Sequence, residues 1–152
     1  MMIETERLTI RIVSDDRIRE MIEEQTDNEM KKAYGEMLAG CIAYPDQRQW
    51  YAPWLAELHS GEAVGDLCFK GLSADGSVEI GYGFAPAYWG QGYATEAVTA
   101  MAAWALGQPG VKTVEAETEP ENFASRRVLE KAGFVPNGLI GEEGPRFVWK
   151  GE

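Results

Sequence analysis

The chain has 152 residues, 45% of them hydrophobic and 26% charged, which fits one folded domain and excludes a chain that is disordered throughout. Twenty-five Asp and Glu against fourteen Lys and Arg leave a net charge of −11, which argues against nucleic-acid binding, where basic groups must neutralise phosphate. The surplus suits a cationic partner such as an amine, a polyamine or a basic protein tail, or else serves solubility alone.

Taken in chain order, Met1-Met2-Ile3-Glu4-Thr5-Glu6-Arg7 has no apolar run after a basic start, so no signal peptide is expected. Leu8 to Val13 alternates apolar and polar residues and predicts a strand. Ser14 or Asp15 then offers a helix cap. Asp16 to Leu38 carries Ile18, Met21, Ile22, Met30 and Leu38 at roughly helical spacing, predicting one or two amphipathic helices with a break near Thr26-Asp27-Asn28. Tyr44 to Trp50 is a loop or short helix. Trp54 to Leu58, Ala63 to Phe69 and Val78 to Phe84 are predicted as a three-stranded meander, turned at Ser60-Gly61-Glu62 and Asp75-Gly76. Gly81 and Gly83 in the third strand suggest a bulge or a close backbone approach. Thr95 to Leu106 predicts a helix on an Ala97, Val98, Met101, Ala102, Ala105 face, stopped by Gly107. Val111 to Thr118 is a strand, and Asn122 to Ala132 a helix capped by Asn122 and closed by Gly133. Phe134-Val135 and Phe147 to Trp149 are the last two strands, joined by the glycine-rich stretch from Gly138 to Pro145. The expected fold is α+β, a mixed sheet with helices packed on it in the order β-α-α-β-β-β-α-β-α-β-β, as a single domain over residues 1–152.

Cys41 and Cys68 form no Cys-x-x-Cys pair and no histidine cluster accompanies them, so neither a metal nor a disulfide framework is expected. Buried free thiols fit a reducing compartment, and a cytoplasmic location is expected. No apolar stretch is long enough to span a bilayer, and no membrane partner is expected. His59, the one histidine, sits in a predicted turn and reads as a surface residue. Trp50, Tyr51 and Trp54 read as core before pocket.

Tyr88-Trp89-Gly90-Gln91-Gly92-Tyr93-Ala94-Thr95 leaves a strand and enters a helix. The first turn of a helix has free N–H groups and the positive end of the dipole, which attract phosphate. Gly90 and Gly92 let backbone approach an anion, Ala94 is small, and Thr95 adds a hydroxyl. A P-loop is excluded, because no Gly-Lys-Ser/Thr is present, and the third glycine of a dinucleotide fingerprint is missing. A tight helix entry without ligand is the plain alternative.

Tyr88 to Ala97 resembles the acetyl-CoA signature of the GNAT N-acetyltransferase superfamily. Asn122-Phe123-Ala124-Ser125-Arg126-Arg127-Val128-Leu129-Glu130-Lys131-Ala132-Gly133-Phe134 resembles that family's helix ending in Gly-Phe, and Glu4-Thr5-Glu6-Arg7-Leu8 resembles the start of its Rim-type branch, which acts on ribosomal-protein N-termini. One departure is Trp89, where the general pattern has Gln or Arg; the Rim-type branch commonly has an aromatic there. The resemblance implies acetyl-CoA as co-substrate, without a metal, and a primary amine as acceptor: a protein N-terminus or a small amine. It implies that the Phe84 and Ala85 backbone pairs with the pantetheine arm and that Trp89, Gly90, Gln91, Gly92, Tyr93, Ala94 and Thr95 hold the pyrophosphate. Asn122 is either a pantetheine ligand or a plain cap.

Acetyl transfer needs a neutral amine, a stabilised thioester oxygen and a proton for the leaving thiolate. A backbone N–H near Phe84 or Ala85 is the candidate for the oxygen. Ser125 is the candidate proton donor, with a solvent-facing serine as its alternative. Glu79 is the candidate base, through water, with Glu115 and Glu117 as rivals. Arg126 reaches a CoA phosphate or lies on a solvated face. No cysteine lies in the motifs, so attack is expected to be direct. A module that senses acetyl-CoA without turnover keeps the same loop and is the second hypothesis. Monomer and homodimer are equally open.

Overall fold

The computed structural model describes residues 1–149, so the last three residues of the domain expected over 1–152 lie outside the described residues. One eight-stranded sheet forms the frame, in spatial order β1-β2-β3-β4-β5-β6-β8-β7. The strands are β1 (Met2–Glu4), β2 (Leu8–Ile12), β3 (Trp54–Leu58), β4 (Ala63–Leu72), β5 (Ser77–Phe84), β6 (Thr113–Glu117), β7 (Val135–Ile140) and β8 (Pro145–Trp149). Every pairing is antiparallel except that of β5 with β6. A parallel neighbour requires a crossover, and α3 (Tyr93–Leu106) supplies it.

Strand alternation sends side chains to two faces. One face packs on α3 and α4 (Phe123–Lys131). There Ala97, Val98, Met101, Ala102 and Ala105 are fully buried, the face the spacing predicts. Trp50, Trp54, Phe69 and Trp104 pack together at ring separations of 5.1–6.5 Å, placing Trp50 and Trp54 in the core as expected. The other face is partly covered by α1 (Asp15–Glu24) and α2 (Asn28–Ala43) over a smaller core of Val13, Ile18, Tyr34, Cys41 and Ala52. The break between these helices ends at Asp27, which caps α2 as Ser14 caps α1. The described helices include none long and apolar enough to cross a membrane.

Four differences from expectation stand out, one being that β7 runs on to Ile140, into the stretch expected as a connection. Strand β1 precedes the predicted first strand; three residues are too few for alternation to register. Helix α2 runs past Leu38 to Ala43, because Gly40 lets the ring of Tyr51 pack directly on it (a Cβ there would lie 2.6 Å from Tyr51). Gly81 and Gly83 form regular pairs with Cys68 and Asp66, and the irregularity of this hairpin falls between Phe69 and Leu72 instead.

Candidate functional site: a cleft where two strands part

Strands β5 and β6 pair only over Ser77–Glu79 and Thr113–Glu115. Beyond that, β5 continues against β4 alone, and β6 against β8 alone. The strands part, and a cleft of about 560 Å³ opens between β5, the loop before α3, and α4. Phe84, Trp89, Gly90, Gly92, Thr95, Asn122 and Ser125 from the sequence reading line it. Ala85, Gln91, Tyr93, Ala94 and Arg126 do not.

The loop is built to end on bare amides. Gly92 takes a left-handed φ of 83° at the N-cap of α3, a conformation costly for any residue with a side chain. Helices α1, α2 and α4 each have a side-chain cap, from Ser14, Asp27 and Asn122; α3 has none. Its first backbone bond runs from Glu96 N–H to Gly92 C=O. The preceding amides therefore have no intrahelical partners, and Gly90, Gly92 and Thr95 of this segment line the end of the cleft.

Arg7 braces this loop from below. It donates to the Gln91 carbonyl at 2.8 Å and to Glu96 at 2.7 Å, and its guanidinium lies 4.4 Å from the centre of the Tyr93 ring. Glu96 also accepts from the Thr5 hydroxyl at 2.6 Å and the Arg7 amide at 2.9 Å. Burial works against this carboxylate's charge, but the bonds from Thr5 and Arg7 outweigh it and hold its pKa below the usual carboxylate range.

On the strand side, the Ala85 N–H is engaged by the Val64 carbonyl at 3.0 Å. Alternation along β5 then turns the Phe84 backbone the other way, toward the cleft. The Phe84 carbonyl already accepts from Trp89 Nε1 at 2.6 Å, so the Phe84 N–H is the free donor at this edge. Trp89 itself is exposed.

On the helix side, Asn122 Oδ1 accepts from the Ser125 amide at 3.0 Å, which caps α4 and leaves the Asn122 side-chain N–H groups free beside the cleft. The Ser125 hydroxyl lies 2.7 Å from the Tyr82 hydroxyl, whose single proton can go to it or to the Ser125 carbonyl at 3.1 Å. Burial raises the Tyr82 pKa, and the bond with Ser125 offsets this only in part, so the phenol is a proton donor at neutral pH.

Glu79 stands at the last paired register, opposite Glu115, and not among the residues lining the cleft. Its two oxygens are held by Lys70 at 2.8 Å and Arg146 at 3.0 Å. Arg146 also holds Glu115 at 3.1 Å and Glu117 at 2.7 Å. The three candidate bases thus form one ion-paired network. His59 is half exposed in its turn, near Glu4.

The sequence reading missed Tyr82, Arg127, Lys131 and Arg7. Arg127 and Lys131, one helical turn apart on α4, are the cations that line the cleft, where Arg126 does not. Their four-residue spacing was a usable signal. Tyr82 had none, since its partner lies 43 residues away.

Residues 4–135 match the family model described as an acetyltransferase (GNAT) domain. The uncharacterized N-acetyltransferase p20 of Bacillus licheniformis is 32% identical over 80 residues, 52% of this chain and 45% of that protein; the chain therefore spans about half the length of such curated relatives. Among solved structures, RimL, described as a ribosomal L7/L12 alpha-N-protein acetyltransferase in complex with coenzyme A, superposes with a TM-score of 0.77 at 15% identity, covering 99% of this chain and 98% of that one. A variant of the spermidine N-acetyltransferase SpeG from Vibrio cholerae gives 0.74 at 15% identity, covering 95% and 94%. At these identities the two structures speak for the fold.

Proposed function

The chain belongs to the GNAT acetyltransferase family, and from that membership we propose that it transfers the acetyl group of acetyl-CoA to a primary amine by direct attack. The observation that carries this reading is the meeting of an uncapped helix N-terminus and a Ser125–Tyr82 hydroxyl pair in one cleft. The first suits a pyrophosphate, the second a leaving thiolate.

Each part has a role. The first-turn amides of α3, with the Gly90 and Gly92 backbone, bind the pyrophosphate. Arg127 and Lys131 neutralise phosphate charge along α4. The Asn122 side-chain amide and the Phe84 N–H hold the pantetheine arm and thioester against the parted edge, and the Phe84 N–H opposes charge building on the thioester oxygen. Ser125 passes a proton to the departing sulfur, and Tyr82 replaces it through their 2.7 Å bond. The buried thiol of Cys41 supports a reducing, cytoplasmic setting. The acceptor is a cationic amine, for which both a protein N-terminus and a polyamine have precedent among the structural relatives.

The test is release of CoA from acetyl-CoA across a panel of amines, including spermidine and a peptide with a free N-terminus, with acetylated products identified by mass. Amine-dependent release is the expected result. Acetyl-CoA binding with no acetylated amine would replace the enzyme with a sensor.

A further inference from the structure

Beneath α2, on the sheet face opposite α3, a second recess of about 90 Å³ lies between Met30, Tyr34, Met37, Asp66, Cys68 and the β5 backbone at Gly81 and Tyr82. Tyr82 borders both this recess and the large cleft, so a single strand separates them at the point where the sheet parts.

Asp66 is the charged group in this recess. Its Oδ2 accepts from the hydroxyl of the buried Tyr34 at 2.7 Å. Its Oδ1 faces the bare backbone of Gly83: a Cβ on Gly83 would lie 3.7 Å from it. Gly81 and Gly83, regularly paired with Cys68 and Asp66, thus keep this strip of β5 free of side chains and open a path to the carboxylate.

The other partly buried carboxylates of the molecule have cations. Glu96 has Arg7, Glu57 has Arg11, Asp15 has Arg48, Glu79 has Lys70 and Arg146, and Glu115 and Glu117 have Arg146. Asp66 has no such partner among the described residues. Tyr34 faces it from α2 and Cys68 lies beside it on β4. The β3 partner Leu55 and the facing glycines of β5 carry no charge, and the next charged groups are Lys70 and Glu79 further along the face. A half-buried carboxylate without a counter-ion is costly unless a ligand supplies one.

We propose that Asp66 receives the ammonium group of the acceptor in this recess and takes its proton, acting as the general base of the acetyl transfer. This rests on the acetyl-transfer reading above. The recess admits an ammonium head and its first carbons between Met30 and Met37, with the remainder in solvent. Of the three N–H protons of the ammonium, one passes to Asp66 and leaves to solvent. The neutral amine then reaches the thioester past the bare backbone of Gly83, which lines the large cleft, and its lone pair forms the C–N bond as the C–S bond breaks. A second proton is shed as the amide forms and balances the one that Ser125 gives to sulfur. The third stays on the amide. Burial raises the Asp66 pKa, offset only in part by Tyr34 and by the carboxylate's own backbone amide, which suits a carboxylate that must accept a proton.

Two measurements test this. The first follows the Met30 and Met37 methyl resonances as propylammonium chloride is added. Saturable shifts are expected in the wild type, none in Asp66→Asn. Equal shifts in both proteins, or none in either, overturn the proposal. The second is kinetic, on any amine the wild type acetylates. Asp66→Asn should lose about a hundred-fold or more in kcat/KM at neutral pH while its Kd for acetyl-CoA is unchanged. Its rate should then climb about tenfold per pH unit toward the amine's own pKa, closing the gap with the wild type. Gly83→Val keeps Asp66 and Tyr34 but covers Oδ1, and should show the same loss; because Gly83 also lines the large cleft, its Kd for acetyl-CoA is measured alongside. Full activity in either variant, or in Gly83→Val a loss fully accounted for by weakened acetyl-CoA binding, overturns the proposal. Absence of turnover in the wild type counts against the acetyltransferase reading, whereas the propylammonium shifts still decide the recess.

Discussion

At the scale of single residues, the Ser125–Tyr82 pair makes a sharp prediction. If the two hydroxyls relay a proton to sulfur, Tyr82→Phe and Ser125→Ala should each lower kcat by about ten- to a hundred-fold and leave the acetyl-CoA Kd nearly unchanged. The double variant should be little worse than either single one, because the hydroxyls act as a unit. Pre-steady-state CoA release, with acetyl-CoA binding measured separately, checks both statements. Ser125 was legible in the sequence because it sits in a long motif on one helix. Tyr82 was not, because its function depends on which face of β5 it occupies and on a helix docking there. Glu79 shows the reverse limit: its place on β5 was readable, but its two cations come from β4 and β8, whose order in the sheet is set by pairing that no local pattern encodes. Glu79→Gln is accordingly expected to lower Tm more than kcat, measurable by thermal unfolding alongside turnover.

At the scale of elements, the bond set around Glu96 joins the β1–β2 turn to the start of α3. Thr5, Arg7 and Glu96 form one node, and the Gln91 carbonyl hangs from it through Arg7. Glu96→Gln should lower Tm by about 3–6 °C at neutral pH and weaken acetyl-CoA binding several-fold, because the loop loses its brace. The sign of the pH effect follows from the depressed carboxylate pKa. In the unfolded chain Glu96 titrates near 4.3. Its stabilisation is complete above that value and is lost as pH falls through the lower folded-state pKa. The Tm difference between wild type and Glu96→Gln should therefore be full at pH 6–8 and shrink once pH drops below about 4. The resemblance of Glu4 to Leu8 to a family start was visible in the sequence; its physical reason, a brace under a loop some eighty residues away, was not. Helix α3 and helix α4 were legible because their apolar faces repeat at helical spacing between good stop signals. The additional β1 and the run of β7 from Pro136 to Ile140, beyond the strand expected at Phe134-Val135, were not, since short edge strands bury too little for periodicity to appear.

At the scale of the whole molecule, the net charge of −11 sets a field that attracts cations. For a polyvalent acceptor such as spermidine, kcat/KM should fall several-fold between about 20 and 200 mM salt, as the Debye length contracts from roughly 20 Å to less than 10 Å. KM should carry most of that change. Initial rates across a salt series check it, and a flat profile would reduce the charge surplus to a solubility device. The same molecular scale exposes a seam. The first five strands and the last three meet through only three register pairs, Ser77–Thr113 to Glu79–Glu115. Above these pairs, no backbone pairing among the described residues stitches one part of the sheet to the other. A ligand lying in that gap would act as a removable staple. Amide hydrogen exchange should then slow on both banks at once, in Tyr82–Phe84 and in Ala116–Glu117, when acetyl-CoA is added, so that the coenzyme serves as a structural member of the sheet as well as a donor of acetyl groups.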